Sequence, residues 1–177
     1  MSKITMLKFQ KNIVLIGMMG SGKSMVAKAL ARKLKMPRLS TDELIEKKAK
    51  LRIKDLVAQK GWEYFRALEH KIVVQVSGKK GIIIDCGGGV VMDPENLSAL
   101  KANGIVFFLN ARPAVIYQRV KNDPSRPLVD VPNPLAQIRR IYKQRLPLYN
   151  QAHYAIDASG VSIEGPVAQI LARVIQS

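Results

Sequence analysis

Short apolar runs rich in β-branched residues alternate along this chain with longer stretches whose apolar residues return every third or fourth position. Asn12-Ile13-Val14-Leu15-Ile16 is a run of the first kind, the mark of a strand buried on both faces. The segment from Met25 to Leu34 is of the second kind, with Val26, Ala27, Leu30, Ala31 and Leu34 on one helical stripe. The pattern predicts strands near 12–16, 36–40, 82–86, 105–109 and 154–157. Helices are predicted over 23–35, 42–49, 53–59, 62–78, 94–103, 112–121, 134–150 and 163–175. Strand and helix in alternation imply an α/β protein, a five-stranded parallel sheet sandwiched between two helical layers. Right-handed crossovers then bring every strand's C-terminal end to one edge, where ligands collect. No repeat, low-complexity tract or linker divides the 177 residues, so a single domain, 1–177, is expected.

Composition narrows the class. Hydrophobic residues make up 47% of the chain, ample for a core, yet no apolar run approaches the roughly 18 residues that a membrane helix needs. The stretch from Met1 to Lys11 is short, polar and basic, unlike a secretory signal. One cysteine, Cys86, cannot form an internal disulfide, which suits a reducing cytoplasm. The formal net charge is +16. Its basic residues are spread along the chain, as in Lys47-Lys48-Lys50 and Arg139-Arg140-Lys143, without aromatic interleaving or a nucleic-acid motif. That distribution favours a solvated surface attractive to small anions over a specific nucleic-acid partner. Nothing argues for a membrane partner, and no exposed apolar stripe argues for a dimer, so a monomer is expected.

The chemistry begins after the first strand. Residues 17 to 24 read Gly17-Met18-Met19-Gly20-Ser21-Gly22-Lys23-Ser24, a complete phosphate-binding loop in strand–loop–helix context. A glycine-rich turn there lets backbone N–H groups, up to that of Met25, close around an anion at the positive end of a helix. Lys23 reaches the β- and γ-phosphates of a nucleoside triphosphate, and the Ser24 hydroxyl is placed to ligate magnesium. The second predicted strand ends at Ser40-Thr41-Asp42 and the third at Asp85-Cys86-Gly87-Gly88-Gly89. Three consecutive glycines cost backbone entropy and point to close approach of a ligand to the main chain.

Further motifs follow in order: Phe65-Arg66-Ala67-Leu68-Glu69, Arg126-Pro127-Leu128 and Arg145-Leu146-Pro147-Leu148-Tyr149. With Asp42 and the glycine triplet, this ordered set resembles the shikimate kinase family over nearly the whole chain, from about Lys11 to Ile175. The resemblance implies a P-loop, nucleoside-monophosphate-kinase-like fold with strand order 2-3-1-4-5. It also implies transfer of the γ-phosphate of ATP, with Mg²⁺, to the 3-hydroxyl of shikimate. By that resemblance Arg66 and Arg145 hold the substrate carboxylate through their planar forks, and Gly87, Gly88 and Gly89 lie against the ring. Asp42 orients the reacting hydroxyl, and Lys23 and Arg126 stabilise charge on the transferred group. The ATP set is then Gly17, Gly20, Ser21, Gly22, Lys23, Ser24, Met25, Arg119 and Arg126, with Arg119 stacked on adenine and Pro166 facing it. The substrate region spans about 42–78, and the polar, Pro-rich stretch 122–134 reads as a lid that excludes water.

Two positions depart from the family pattern. Asp-x-Asp after the second strand is here Ser40-Thr41-Asp42, so the first carboxylate, on the magnesium side, is absent. Cys86 stands where Thr or Ser is usual. Asp85 has two readings: it replaces the missing carboxylate beside Ser24 at the metal, or it faces away, since strand residues alternate faces. Gluconokinase and nucleoside monophosphate kinases are neighbouring alternatives, although gluconokinase does not predict the triplet together with the two later arginine motifs. A catalytically weakened ATP-binding protein, supported by Ser40 and Cys86, is the alternative from another class.

Overall fold

The first strand is the most apolar and lies at the centre, because only a strand flanked on both sides can bury every residue. In a computed structural model describing residues 10–122 and 131–175, strand β1 (Asn12–Ile16) is buried throughout. It pairs in parallel with β3 (Ile83–Asp85) on one side and β4 (Gly104–Asn110) on the other. The outer strands β2 (Arg38–Ser40) and β5 (Tyr154–Asp157) add to β3 and β4, giving the order β2-β3-β1-β4-β5. All these pairings are parallel, as the alternating pattern requires.

Helices join the strands: α1 (Lys23–Leu34), α2 (Thr41–Ala49), α3 (Ile53–Ser77), α4 (Pro94–Ala102), α5 (Pro113–Val120), α6 (Pro134–Tyr149) and α7 (Glu164–Ile175). α1 packs on β1 and β3 and against α7, burying Val26, Ala27 and Leu30. α3 lies against α2 and α4. Together they place helices on both faces of the sheet, as expected. The core is continuous from Ile13 and Phe107 in the sheet to Leu30, Ile72, Ile116 and Ile170 on the helices. Each such side chain withdrawn from water contributes about 1.5–3 kcal/mol.

Two differences from the expected elements have local causes. One helix, Ile53–Ser77, runs through the stretch where two were expected, and Gly61, at φ 80°, ψ 169°, kinks it at the expected break between 59 and 62. A turn of 3₁₀-helix, Val90–Met92, follows the glycine triplet. Three apolar residues carry no readable period, and the pattern leaves that turn unseen.

Candidate active site

Parallel strands leave their C-terminal ends on one edge, and the expected site residues collect there. The loop after β1 turns through Gly17, Gly20 and Gly22, at φ 143°, 74° and 94°, conformations that side chains rarely adopt. Lys23 opens α1, is 7% exposed, and folds its Nζ back to donate to the Gly17 and Met18 carbonyls at 2.8 and 3.0 Å. No acidic residue occupies the first turn of α1, so its positive end opposes no anion. The Ser21 hydroxyl is buried with no hydrogen-bond partner among the described residues. An orphaned hydroxyl and a lysine resting on loop carbonyls suit a loop built around phosphate oxygens. Ser24 and Met25 are exposed on the same turn.

Arg119 on α5 closes the loop from outside. Its guanidinium donates to the Gly20 and Ser21 carbonyls, both at 3.3 Å, and to those of Ala158 and Gly160 at 2.9 and 2.6 Å. It therefore ties the phosphate loop to the turn after β5. A slot of about 80 Å³ is lined by Arg119 together with Gly22, Met25, Val161 and Pro166. The slot brings together Arg119 and Pro166, the two residues expected to flank adenine.

The glycine triplet at the end of β3 is the meeting point of the other site residues. A Cβ at Gly88 would lie 3.0 Å from the Met19 nitrogen, against the phosphate loop. One at Gly87 would strike the Asp42 carboxylate, and one at Gly89 would strike the Arg66 guanidinium. The close approach expected of these glycines is thus made by the protein's own functional groups, each triplet member facing a different one. Arg66 Nη1 donates to the Gly89 carbonyl at 3.2 Å and pairs with Glu69, one helical turn on. Glu69 is 1% exposed, and burial raises its carboxyl pKa against the opposing pull of Arg66. Arg145 Nη1 donates to the Gly88 carbonyl at 3.2 Å, and the Tyr149 hydroxyl donates to the same oxygen at 2.5 Å. Burial pushes the Tyr149 phenol up, with the Arg145 charge opposing, so it stays a donor. Both arginines expected to grip a carboxylate therefore rest on adjacent carbonyls of one loop.

Asp42 is placed by its neighbours in sequence. Ser40 caps α2, its hydroxyl accepting from the Glu43 N–H at 3.3 Å. Thr41, fully buried, accepts from the Gly87 N–H at 2.8 Å. These two contacts fix the first turn of α2 against the triplet and leave Asp42, half-buried, over Gly87.

Asp85, for which two readings were open, is engaged by a basic side chain of the neighbouring strand. Ser40 and Asp85 are register partners on adjacent strands, with Arg38 two residues before Ser40 and hence on the same face. Arg38 Nη2 and Nε donate to the Asp85 carboxylate at 2.6 and 3.2 Å, and Nη2 also reaches Glu43 at 3.0 Å. Burial lowers the Arg38 pKa, but the two acidic partners outweigh it and the guanidinium is held charged. Asp85 is 3% exposed and committed to this pair. Among the expected metal-side groups, the Ser24 hydroxyl on the exposed first turn of α1 is the one that suits a divalent ion carried on the phosphates. Cys86 is buried, and burial, then the Asp85 charge, raises its thiol pKa far up, which leaves it inert.

The contacts of two residues that matter here, Thr41 and Tyr149, escaped notice in the sequence. Both stood inside quoted motifs, so their positions were visible and only their partners were not. His70 sits among Asp93, Glu95 and Asn96, a grouping across α3 and α4 that no sequence spacing announces. Asp93 is meanwhile spent on capping α4, accepting from the Glu95 N–H at 2.9 Å. Arg126 and most of the expected lid lie outside the described residues.

Comparison with known proteins identifies the family. A family model described as shikimate kinase matches residues 19–176. A shikimate kinase of Caldanaerobacter subterraneus subsp. tengcongensis is 39% identical over 166 residues, covering 94% of this chain and 97% of the relative. A shikimate kinase from Acinetobacter baumannii, solved in complex with shikimate, superposes with a TM-score of 0.87 at 33% identity. That match covers 94% of this chain and 93% of the neighbour. The Aquifex aeolicus shikimate kinase superposes with a TM-score of 0.81 at 32% identity over 93% of this chain and 96% of its own. With the family model matching over most of its length and a curated relative 39% identical over 166 residues, the chain belongs to the shikimate kinase family.

Proposed function

We propose that this enzyme transfers the γ-phosphoryl group of ATP to the 3-hydroxyl of shikimate. One observation carries the reading: Arg66, Arg145 and Asp42 converge on the glycine triplet, whose Gly88 lies against the phosphate loop. Two guanidinium forks suit one carboxylate, and an acceptor beside them suits a ring hydroxyl. The triphosphate is cradled by the loop N–H groups from Gly20 to Met25, and Lys23 leaves its carbonyls to bind the β- and γ-oxygens. A magnesium ion held by Ser24 and the phosphates supplies charge neutralisation when bound. Asp42 accepts the hydrogen bond of the reacting hydroxyl and aims its oxygen in line with the γ-phosphorus. In a loose transition state such positioning outweighs early proton removal. Adenine fills the slot between Arg119 and Pro166, and Arg126 from the 122–134 lid neutralises the group in flight. We further read 1–177 as one kinase domain acting as a cytoplasmic monomer.

The test is ADP release with Mg²⁺-ATP, with and without shikimate, beside gluconate, AMP, CMP and UMP. Strong stimulation by shikimate alone is expected. Stimulation by another acceptor overturns the substrate assignment, and ATP binding without any stimulation returns the weakened binding protein to the front.

A further inference from the structure

Tyr149 is the last residue of α6 and is wholly buried. Its ring stacks on Phe108 of β4, centroids 4.9 Å apart and planes 13° apart. So large a side chain packed this way has one place for its hydroxyl, and that place is the Gly88 carbonyl at 2.5 Å. Arg145 precedes it by four residues, hence on the same face of the helix, and donates to the same oxygen at 3.2 Å. A carbonyl has two lone pairs, and here both are used.

The two donors differ in what they can do next. Arg145 is half-exposed on a flexible stem, whereas the Tyr149 hydroxyl is fixed by the ring stack. When a substrate carboxylate takes the Arg145 fork, the Gly88 carbonyl loses one donor. With no second donor it would be a stranded acceptor, and the arginine would resist leaving. We propose that Tyr149 is a positioning residue that keeps the Gly88 carbonyl satisfied, so that Arg145 can be drawn onto the substrate carboxylate. It acts through Gly88 and touches no reacting atom. The same bond pins the Gly88–Gly89 peptide plane, in which C=O and N–H point in opposite directions, so the Gly89 N–H keeps a fixed aim. This inference rests on the proposed role of Arg145 toward a carboxylate-bearing acceptor.

Tyr149→Phe keeps the ring stack and removes the hydroxyl alone. The KM for shikimate is expected to rise about five- to tenfold, an apparent loss of about 1–1.4 kcal/mol. Turnover at saturation and the KM for ATP are expected to stay within about twofold. A purely structural role would move both KM values and the melting temperature together, and that outcome overturns the proposal, as does an unchanged KM for shikimate. A double-mutant cycle closes the remaining gap. In an Arg145→Met background there is no guanidinium to release, so adding Tyr149→Phe should cost less than twofold, and additive losses overturn the coupling. If the parent enzyme ignores shikimate altogether, the function reading falls and takes this one with it. If the parent turns over and the variants do not split as described, only the role of Tyr149 falls.

Discussion

At residue 40 the side chain serves a helix end. Ser40 caps α2, while its register partner Asp85, one strand away, is gripped by Arg38. The motifs made Asp42, Arg66 and Arg145 legible, because each lies at a fixed offset from a glycine or proline signature. Asp85 stayed open between two readings because offset along a strand does not reveal which neighbour a side chain meets. That depends on the cross-strand partner, and Arg38 sits 47 positions away in sequence. Asp85→Asn should lower stability by about 1–3 kcal/mol, since a buried, charge-assisted bond is weakened while Arg38 keeps Glu43. The Mg²⁺ concentration for half-maximal ATP turnover should not move. Urea unfolding and a Mg²⁺ titration of the variant check both halves, and a raised magnesium requirement would restore the metal-side role.

Among the elements, the strands and helices were legible to within a residue or two at most ends, because each has a strong period and a clear cap or breaker. The exceptions are short. β2 keeps only three residues of the expected five, since Pro37 has no N–H to give the ladder, although its carbonyl accepts from Ile83 at 2.8 Å. The 3₁₀ turn at Val90–Met92 is too brief to show a period. The kink at Gly61 divides α3 into a part that packs near α2 and a part that carries Arg66 and Glu69. Nothing lies within 4 Å of a Cβ placed there, so space is not what demands glycine. The demand is conformational. Gly61→Ala should therefore cost about 1–3 kcal/mol of stability from backbone strain alone, read in denaturant or by melting temperature. A neutral effect would mean that the two helical parts reorient at little cost.

For the whole molecule, one coupling of stability to pH runs through a histidine that joins two strands. His153 donates its N–H to the Val106 carbonyl at 3.0 Å, and its Nδ1 accepts from the Val106 N–H at 2.9 Å. The ring must be neutral to accept. Burial, then the charges of Lys101 and Lys11, lowers its pKa. A histidine depressed in the folded state gives its full contribution above the unfolded value, about 6.5, and loses it as pH falls toward the lower folded value. Acidification from pH 7.5 to 5 should thus lower the melting temperature, and His153→Ala should flatten that slope while lowering stability at neutral pH. The net charge of +16 grows in acid as well, so the difference between parent and variant is the quantity to read. Both histidines look isolated along the chain. Their partners come from other elements, which is why the overall architecture was readable from the sequence while these bonds were not.

The glycine triplet has a consequence for how this enzyme can change over time. Every amino acid reachable from a glycine codon by one base change carries a Cβ. At 87, 88 and 89 that carbon meets, in turn, the Asp42 carboxylate, the phosphate loop and the Arg66 guanidinium. Three successive codons are held in place by three separate partners, and relief at one does nothing for the next. A descendant that acts on a different acceptor can change 87 only together with 42, and 89 only together with 66, whereas 88 meets main chain that cannot swing aside, so directed evolution toward a new hydroxy acid should vary those residues in pairs and leave codon 88 untouched.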